Sequence, residues 1–168
     1  MRFRRTALPW LVAVALLAAF LVARSGGGAF PSFDDAHGAR VQRVVDGDTV
    51  RLVGLGSVRL IGVNTPEVYG HVQCFGPEAS GFAKSVLHPG TRVRYQVGRE
   101  ARDRYGRLLA YVWLEDGRLF NGMLVERGYA VPLTIAPNDQ LAPRFRSEEA
   151  EARRARAGMW RRPGCAPG

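Results

Sequence analysis

Apolar residues recur along this chain at two spacings, and the change from one to the other marks its elements. Around residues 40–63 they come in short alternating runs, so Arg40 to Val45, Thr49 to Val53 and Val58 to Val63 read as three strands. Gly54-Leu55-Gly56-Ser57 sits between the second and third, the mark of a hairpin with a glycine-containing loop. Strict alternation sets Arg59, Ile61 and Val63 on one face and Leu60, Gly62 and Asn64 on the other. Alternation alone therefore does not put Arg59 beside Asn64; the turn at Asn64-Thr65-Pro66, or sheet curvature, must re-aim one of them. The spacing then lengthens. Ala79, Phe82, Ala83, Val86 and Leu87 form one helical stripe, opened by Gly76-Pro77-Glu78 and stopped by Pro89-Gly90. Glu78 suits the positive end of that helix. Thr91 to Val97 alternates again, with Val93, Tyr95 and Val97 inward and Arg92 and Arg94 outward. A further strand follows Arg107 through Val112, and Asp116-Gly117 is a tight turn. Asn121 is placed to cap a short helix carrying Met123, Leu124 and Val125, which Gly128 ends. A last helix runs from about Pro143 to Gly158, with Phe145, Ala152, Ala155, Met159 and Trp160 on its apolar side.

Residues 1–29 stand apart from this pattern. Arg2, Arg4 and Arg5 precede an unbroken apolar run from Ala7 to Ala23, then Ser25-Gly26-Gly27-Gly28-Ala29. This is the pattern of an export signal, cut after Ala29 or kept as a membrane anchor. Either outcome puts the rest of the chain outside the cytoplasm, secreted or held at the outer face of the membrane. Phe30 to Gly38 reads as a linker, residues 39–162 as one domain and 163–168 as a tail. The chain holds 24 Lys and Arg against 15 Asp and Glu. Without the four leader arginines an excess of five positive charges remains, which favours a polyanionic partner. Cys74 and Cys165 are the only cysteines. In an exported chain an even pair suggests one disulfide, tying the C-terminus to the loop after Glu67. Two unrelated buried thiols are the alternative.

Polar residues that a packed strand would not choose sit at both ends of the hairpin. Asp46, Gly47 and Asp48 come before it, Asn64, Thr65, Pro66 and Glu67 after it, and Arg59 interrupts its second strand. Asp48, the Asn64 side-chain oxygen and a nearby backbone carbonyl are oxygen donors suited to a hard cation. Glu67 can orient or deprotonate a water, and Arg59 can fork onto phosphate oxygens. Each tetrapeptide taken alone is equally a plain turn former. A second polar stretch, Arg102-Asp103-Arg104-Tyr105-Gly106-Arg107, feeds directly into a strand. Its three arginines around one tyrosine suit phosphate and base-face contacts, with Arg104 and Tyr105 as candidates for holding nucleic acid. An exposed basic hairpin end is the competing reading for Arg102 and Arg104. Arg107 differs, because its place at the mouth of a strand lets a fixed backbone aim it. No zinc spacing, P-loop, internal repeat or Ser-His-Asp arrangement stands out.

In this order and near this spacing, V-D-G-D-T-V-R-L, R-L-I-G-V-N-T-P-E, F-G-P-E-A-S, D-R-Y-G-R-L-L-A-Y and a helix ending G-M-W resemble the thermonuclease family, the staphylococcal-nuclease-like phosphodiesterases. The resemblance covers roughly Arg40 to Trp160. It implies an α+β fold, a five-stranded OB-type barrel with three helices, and calcium-dependent cleavage of single- and double-stranded DNA and of RNA by a monomer, leaving 3′-phosphates. Matched position by position, it carries catalytic roles to Arg59, Glu67 and Arg107, and calcium ligation to Asp48, Asn64 and the Thr65 carbonyl. Three departures stand out. Asn64 replaces a second aspartate of the family's type member, which removes a negative charge from the metal seat. Leu133 and Ile135 fall where two tyrosines line its nucleotide pocket. The loop from Val68 to Cys74 is shorter. These departures motivate a second reading, an OB barrel that binds single strands or other polyanions without cleaving them.

Overall fold

The computed structural model describes residues 30–162, 164 and 165; the stretch predicted as a signal or anchor lies outside them. In chain order the elements are β1 (His37–Val44), β2 (Thr49–Leu52), β3 (Gly56–Leu60), β4 (Val63–Asn64), α1 (Gly76–Val86), β5 (Arg92–Arg102), β6 (Leu108–Leu114), α2 (Phe120–Glu126), β7 (Val131–Pro132) and α3 (Ala142–Arg154). Five strands close a barrel in the order β1-β2-β3-β6-β5, and β4 pairs with β7 beside it. Every barrel contact is antiparallel except that between β3 and β6. This is the five-stranded barrel with three helices expected from the sequence.

The alternating strands explain the closure. Val41, Val50, Leu52, Val58, Leu60, Val93, Ala110 and Val112 come from the inward positions, and all are buried. α1 lays Ala79 and Ala83 inward with Leu87 just beyond it, while Phe82 stacks on Tyr129 at 4.5 Å between ring centroids. β1 starts at His37, two residues inside the stretch expected to be linker. Before it, the Ser32 N–H donates to Gln96 Oε1 at 2.9 Å and Phe33 lies 4.6 Å below the Arg94 guanidinium. That stretch is therefore tied to the barrel. β5 also runs five residues past Val97, beyond a register shift, where no apolar alternation announces it.

Three local expectations are corrected. The strand expected to reach Val63 stops at Leu60, because Gly62 has φ +80 and the Phe145 ring fills the space a Cβ would need, 2.7 Å from Cδ2. Only glycine turns the chain there without clash. The faces are thus reset between Leu60 and Val63, and the alternation that separated Arg59 from Asn64 does not apply. Asn121 does not cap α2; Leu119 holds that position with no side-chain cap. The Asn121 side chain is fully buried, accepting from Val112 N at 2.9 Å and donating to the carbonyls of Ile61 at 2.9 Å and Ala110 at 3.4 Å. Finally, α3 ends at Arg154 rather than near Gly158. Arg156 enters the left-handed region at φ 49, and a 3-10 turn over Gly158–Arg161 follows, with Met159 N donating to Gly128 O at 2.9 Å.

Two stability predictions follow from this packing. Asn121→Ala strips partners from a buried N–H and a buried carbonyl, each worth about 1–3 kcal/mol when left unpaired, so the midpoint of thermal unfolding should fall by at least about 5 °C. Glu148 is the second case. Burial pushes its carboxyl above the ordinary value, with Glu126 and Glu151 adding to the rise and Arg144 opposing it. Its Oε2 is buried without a hydrogen-bond partner. The folded state therefore holds this proton more tightly than the unfolded chain, and stability falls as pH rises through the folded-state pKa. Glu148→Gln should raise the midpoint by about 2–4 °C at neutral pH. The gain should vanish in acid below the ordinary glutamate range, as calorimetry across pH will read.

Candidate active site

The site begins in the bend between β1 and β2. Val45 and Asp46 both donate their N–H to Thr49 O, at 2.9 and 3.3 Å, and Asp48 N donates to Asp46 Oδ1 at 3.1 Å. Burial raises the Asp46 carboxyl above its ordinary pKa, and the neighbouring Asp48 charge adds to the rise. Gly47 is required for close approach, since a Cβ there would lie 2.6 Å from Thr65 Oγ1. That approach lets Asp48 Oδ2 accept from Thr65 N at 2.8 Å and from Thr65 Oγ1 at 3.1 Å. Asp48 Oδ1 takes the Thr49 hydroxyl at 3.3 Å and faces Arg59 Nε at 3.1 Å.

Arg59 completes this cluster. Its Nη1 donates to the carbonyls of Leu60 and Val63 at 2.8 and 2.7 Å, and its Nη2 to Asn64 Oδ1 at 3.1 Å. The break at Gly62 is what returns Asn64 to Arg59. Asp48, Arg59, Asn64 and Thr65 are thus one hydrogen-bonded unit. Its acceptors for a cation are all hard oxygens, a carboxylate, an amide and the Thr65 carbonyl, and its Asp48 and Asn64 oxygens already share the positive charge of Arg59. The donor set fits a hard divalent ion. Among the described residues no three His, Cys, Asp or Glu side chains gather into a metal cluster; Asp48 is the carboxylate of this unit, with Asp46 beside it.

The parallel pairing of β3 with β6 sets Arg59 opposite Leu109, two residues past Arg107. Both arginines line one groove of about 480 Å³, together with Asp103, Arg104, Tyr105 and Asn138. Arg107 is aimed less by its strand than by Asp103, whose Oδ2 accepts Nε at 2.7 Å and whose Oδ1 accepts the Arg107 N–H at 3.0 Å. Burial acts to raise the Asp103 carboxyl, but the bonds and charge of Arg107 outweigh it and hold the pKa below its ordinary value. Arg104 and Tyr105 are exposed on the groove's rim, with Arg104 Nη2 donating to the Tyr105 hydroxyl at 2.7 Å. Leu133 and Ile135 form an exposed apolar stretch of the same wall. Asn138 fastens that wall to β5, accepting from Glu100 N at 3.0 Å and donating to Glu100 O at 2.9 Å. Sequence reading gave Asp103 and Asn138 no role. The four-residue spacing of Asp103 and Arg107 was the one available signal.

Glu67 does not line the groove. It is exposed, two residues beyond Thr65, in a loop fixed through its backbone: its N–H donates to Gln73 Oε1 at 3.0 Å and its carbonyl accepts Gln73 N at 2.9 Å. Gly76 packs directly on the Glu67 carbonyl. Cys74, in the same loop, is joined to Cys165, with 5.0 Å between their Cα atoms. Glu78, expected only as a helix-start charge, also pairs with Arg162 at 3.0 Å.

Comparison with known proteins bears on this geometry. The family model described as staphylococcal nuclease homologue matches residues 57–162. A thermonuclease of Staphylococcus intermedius is 38% identical over 161 residues, covering 90% of this chain and 95% of that protein. A thermonuclease of Staphylococcus hyicus is 37% identical, covering 72% of this chain and 74% of its own length. Endonuclease YhcR of Bacillus subtilis is 37% identical over 77% of this chain, although the match spans only 12% of that longer protein. Barrel, helices and these relatives agree: the chain belongs to the staphylococcal nuclease family, and is a nuclease of the hydrolase class.

Proposed function

We propose that the chain is an exported, calcium-dependent nuclease that hydrolyses DNA and RNA with little regard for the sugar. The observation that carries the reading is that Arg59 joins the Asp48–Asn64 oxygens on one side and shares a groove with Arg107 on the other. Asp48, Asn64 and the Thr65 carbonyl would hold the cation, which when bound screens phosphate charge and polarises water. Arg59 and Arg107 grip the non-bridging oxygens, where charge builds during in-line displacement. The Glu67 carboxylate takes the proton of the attacking water. The water oxygen bonds to phosphorus, the bond to the 5′ oxygen breaks, and that oxygen takes a proton from solvent, leaving a 3′-phosphate and a 5′-hydroxyl. With Asn64 in place of a second carboxylate the seat carries less negative charge, so the ion should bind weakly until substrate phosphate adds ligands. Export is supported by the arginines and apolar run of residues 1–29, and a Cys74–Cys165 bond suits an oxidising compartment.

The test is cleavage of single-stranded DNA and of RNA by the full chain, with calcium and with excess chelator. Cleavage that continues undiminished in chelator would overturn the metal-dependent reading. Glu67→Gln should lower kcat by about 10²- to 10⁴-fold, the usual worth of a positioned general base. Arg107→Gln should cost about a hundredfold to a thousandfold in kcat/KM. Both variants should keep the wild-type unfolding midpoint to within a few degrees.

A further inference from the structure

The outer face of β1 carries a concentration of positive charge that the site described above does not use. In regular pairing, residues three apart on a strand point to opposite faces. Between Val41 and Arg43, however, β1 advances two residues for one of β2: Val41 faces Leu52, and Arg43 faces Arg51. This bulge turns Arg43 outward on the same side as Arg40, while Val41 and Val44 both stay buried. Arg40 in turn lies opposite Arg92 on β5. Two arginine–arginine pairs therefore flank one strand, although like charges set directly opposite destabilise a sheet. Arg92 leans on Glu115 at 3.6 Å, and Arg40 Nη1 donates to the Gly90 carbonyl at 3.2 Å. Among the described residues Arg43 and Arg51 take part in no ion pair.

The position of these pairs says what fits them. Thr49 pairs with Arg59 and Arg51 with Ser57, so Arg51 lies on the Arg59 face of the hairpin, two residues away, or about 7 Å. The row from Arg59 through Arg51 and Arg43 to Arg40 and Arg92 continues from the groove across the barrel. We infer that this face is a phosphate track: it holds the backbone of a single-stranded nucleic acid where the strand leaves the groove, by charge and without reading bases. The identity of the ligand rests on the nuclease reading; the track itself is tested by binding, with no turnover required.

The experiment measures anisotropy of a labelled oligothymidylate dodecamer with the full chain in excess chelator, from about 50 to 200 mM salt. Arg43→Gln/Arg51→Gln is compared with Arg146→Gln/Arg154→Gln, which removes the same charge from exposed positions on α3. Each lost phosphate contact to a single strand lowers the slope of log affinity against log salt by about 0.7, so the β1–β2 variant should lose about 1.4. The α3 variant should keep the wild-type slope. Equal losses in both would reduce the effect to net charge, and an unchanged slope in the β1–β2 variant would remove the track; either result overturns the proposal. The unfolding midpoint of the β1–β2 variant, read in parallel, should stay level or rise, since a like-charge pair is removed. If cleavage proves independent of metal while the slope falls as expected, the track stands and the catalytic reading alone fails.

Discussion

The Asp48 carboxylate is the constraint on which the rest of the site depends. One oxygen holds the backbone and hydroxyl of Thr65, the other faces Arg59, and both partners of that ion pair are nearly buried, at 9% and 12% exposure. A charge this buried is tolerable only because every neighbour satisfies it, and removing one partner of such a pair typically costs about 3–5 kcal/mol. Three stretches of chain are therefore fixed against each other by one side chain: the β1–β2 bend, β3 and the turn leading to Glu67. In the proposed reading the same carboxylate also lends the metal seat its anionic oxygen, so stability and metal affinity would draw on one group.

Arg59 divides its guanidinium between two tasks. Nη1 closes the turn after β3 by satisfying the Leu60 and Val63 carbonyls, while Nε and Nη2 reach Asp48 and Asn64. A lysine would keep the charge but not this fork, because its single ammonium cannot span carbonyls and carboxylate in one plane. Arg107 is held more simply, by one carboxylate on its own turn, and is more exposed than Arg59. The two arginines thus differ in freedom. Arg59 is built into the frame; Arg107 hangs from it.

What could be read in the sequence was what neighbouring residues decide. The glycine-bearing hairpin and the Ala79 to Leu87 stripe rest on local periodicity, whereas the barrel was legible only through the resemblance to the thermonuclease family. The return of Asn64 to Arg59 was not legible, because it depends on the Phe145 ring excluding a side chain from position 62. No spacing rule connects residues so far apart. Asn121 misled for a related reason: the same amide that caps a helix also imitates a strand edge, and burial beside Ile61 and Ala110 decided between them. β5 ran past its apolar alternation because its extension is fastened by Asn138, from a distant loop, and not by core burial.

The bond between Cys74 and Cys165 links positions 91 apart. A ring of that size restricts the denatured chain by roughly 4–5 kcal/mol in the entropic account. The ring holds α1, β5, β6, α2, β7 and α3, and leaves β1 to β4 outside. Arg107 therefore belongs to the covalently closed portion, while Arg59, Asp48, Asn64 and Glu67 belong to an open arm. The two halves meet through the parallel register of β3 on β6, the β1–β5 seam and the β4–β7 pair. Peeling that arm away would part Arg59 from Arg107 and dismantle the proposed site without opening the ring, so loss of that site and full denaturation are separable events in this topology.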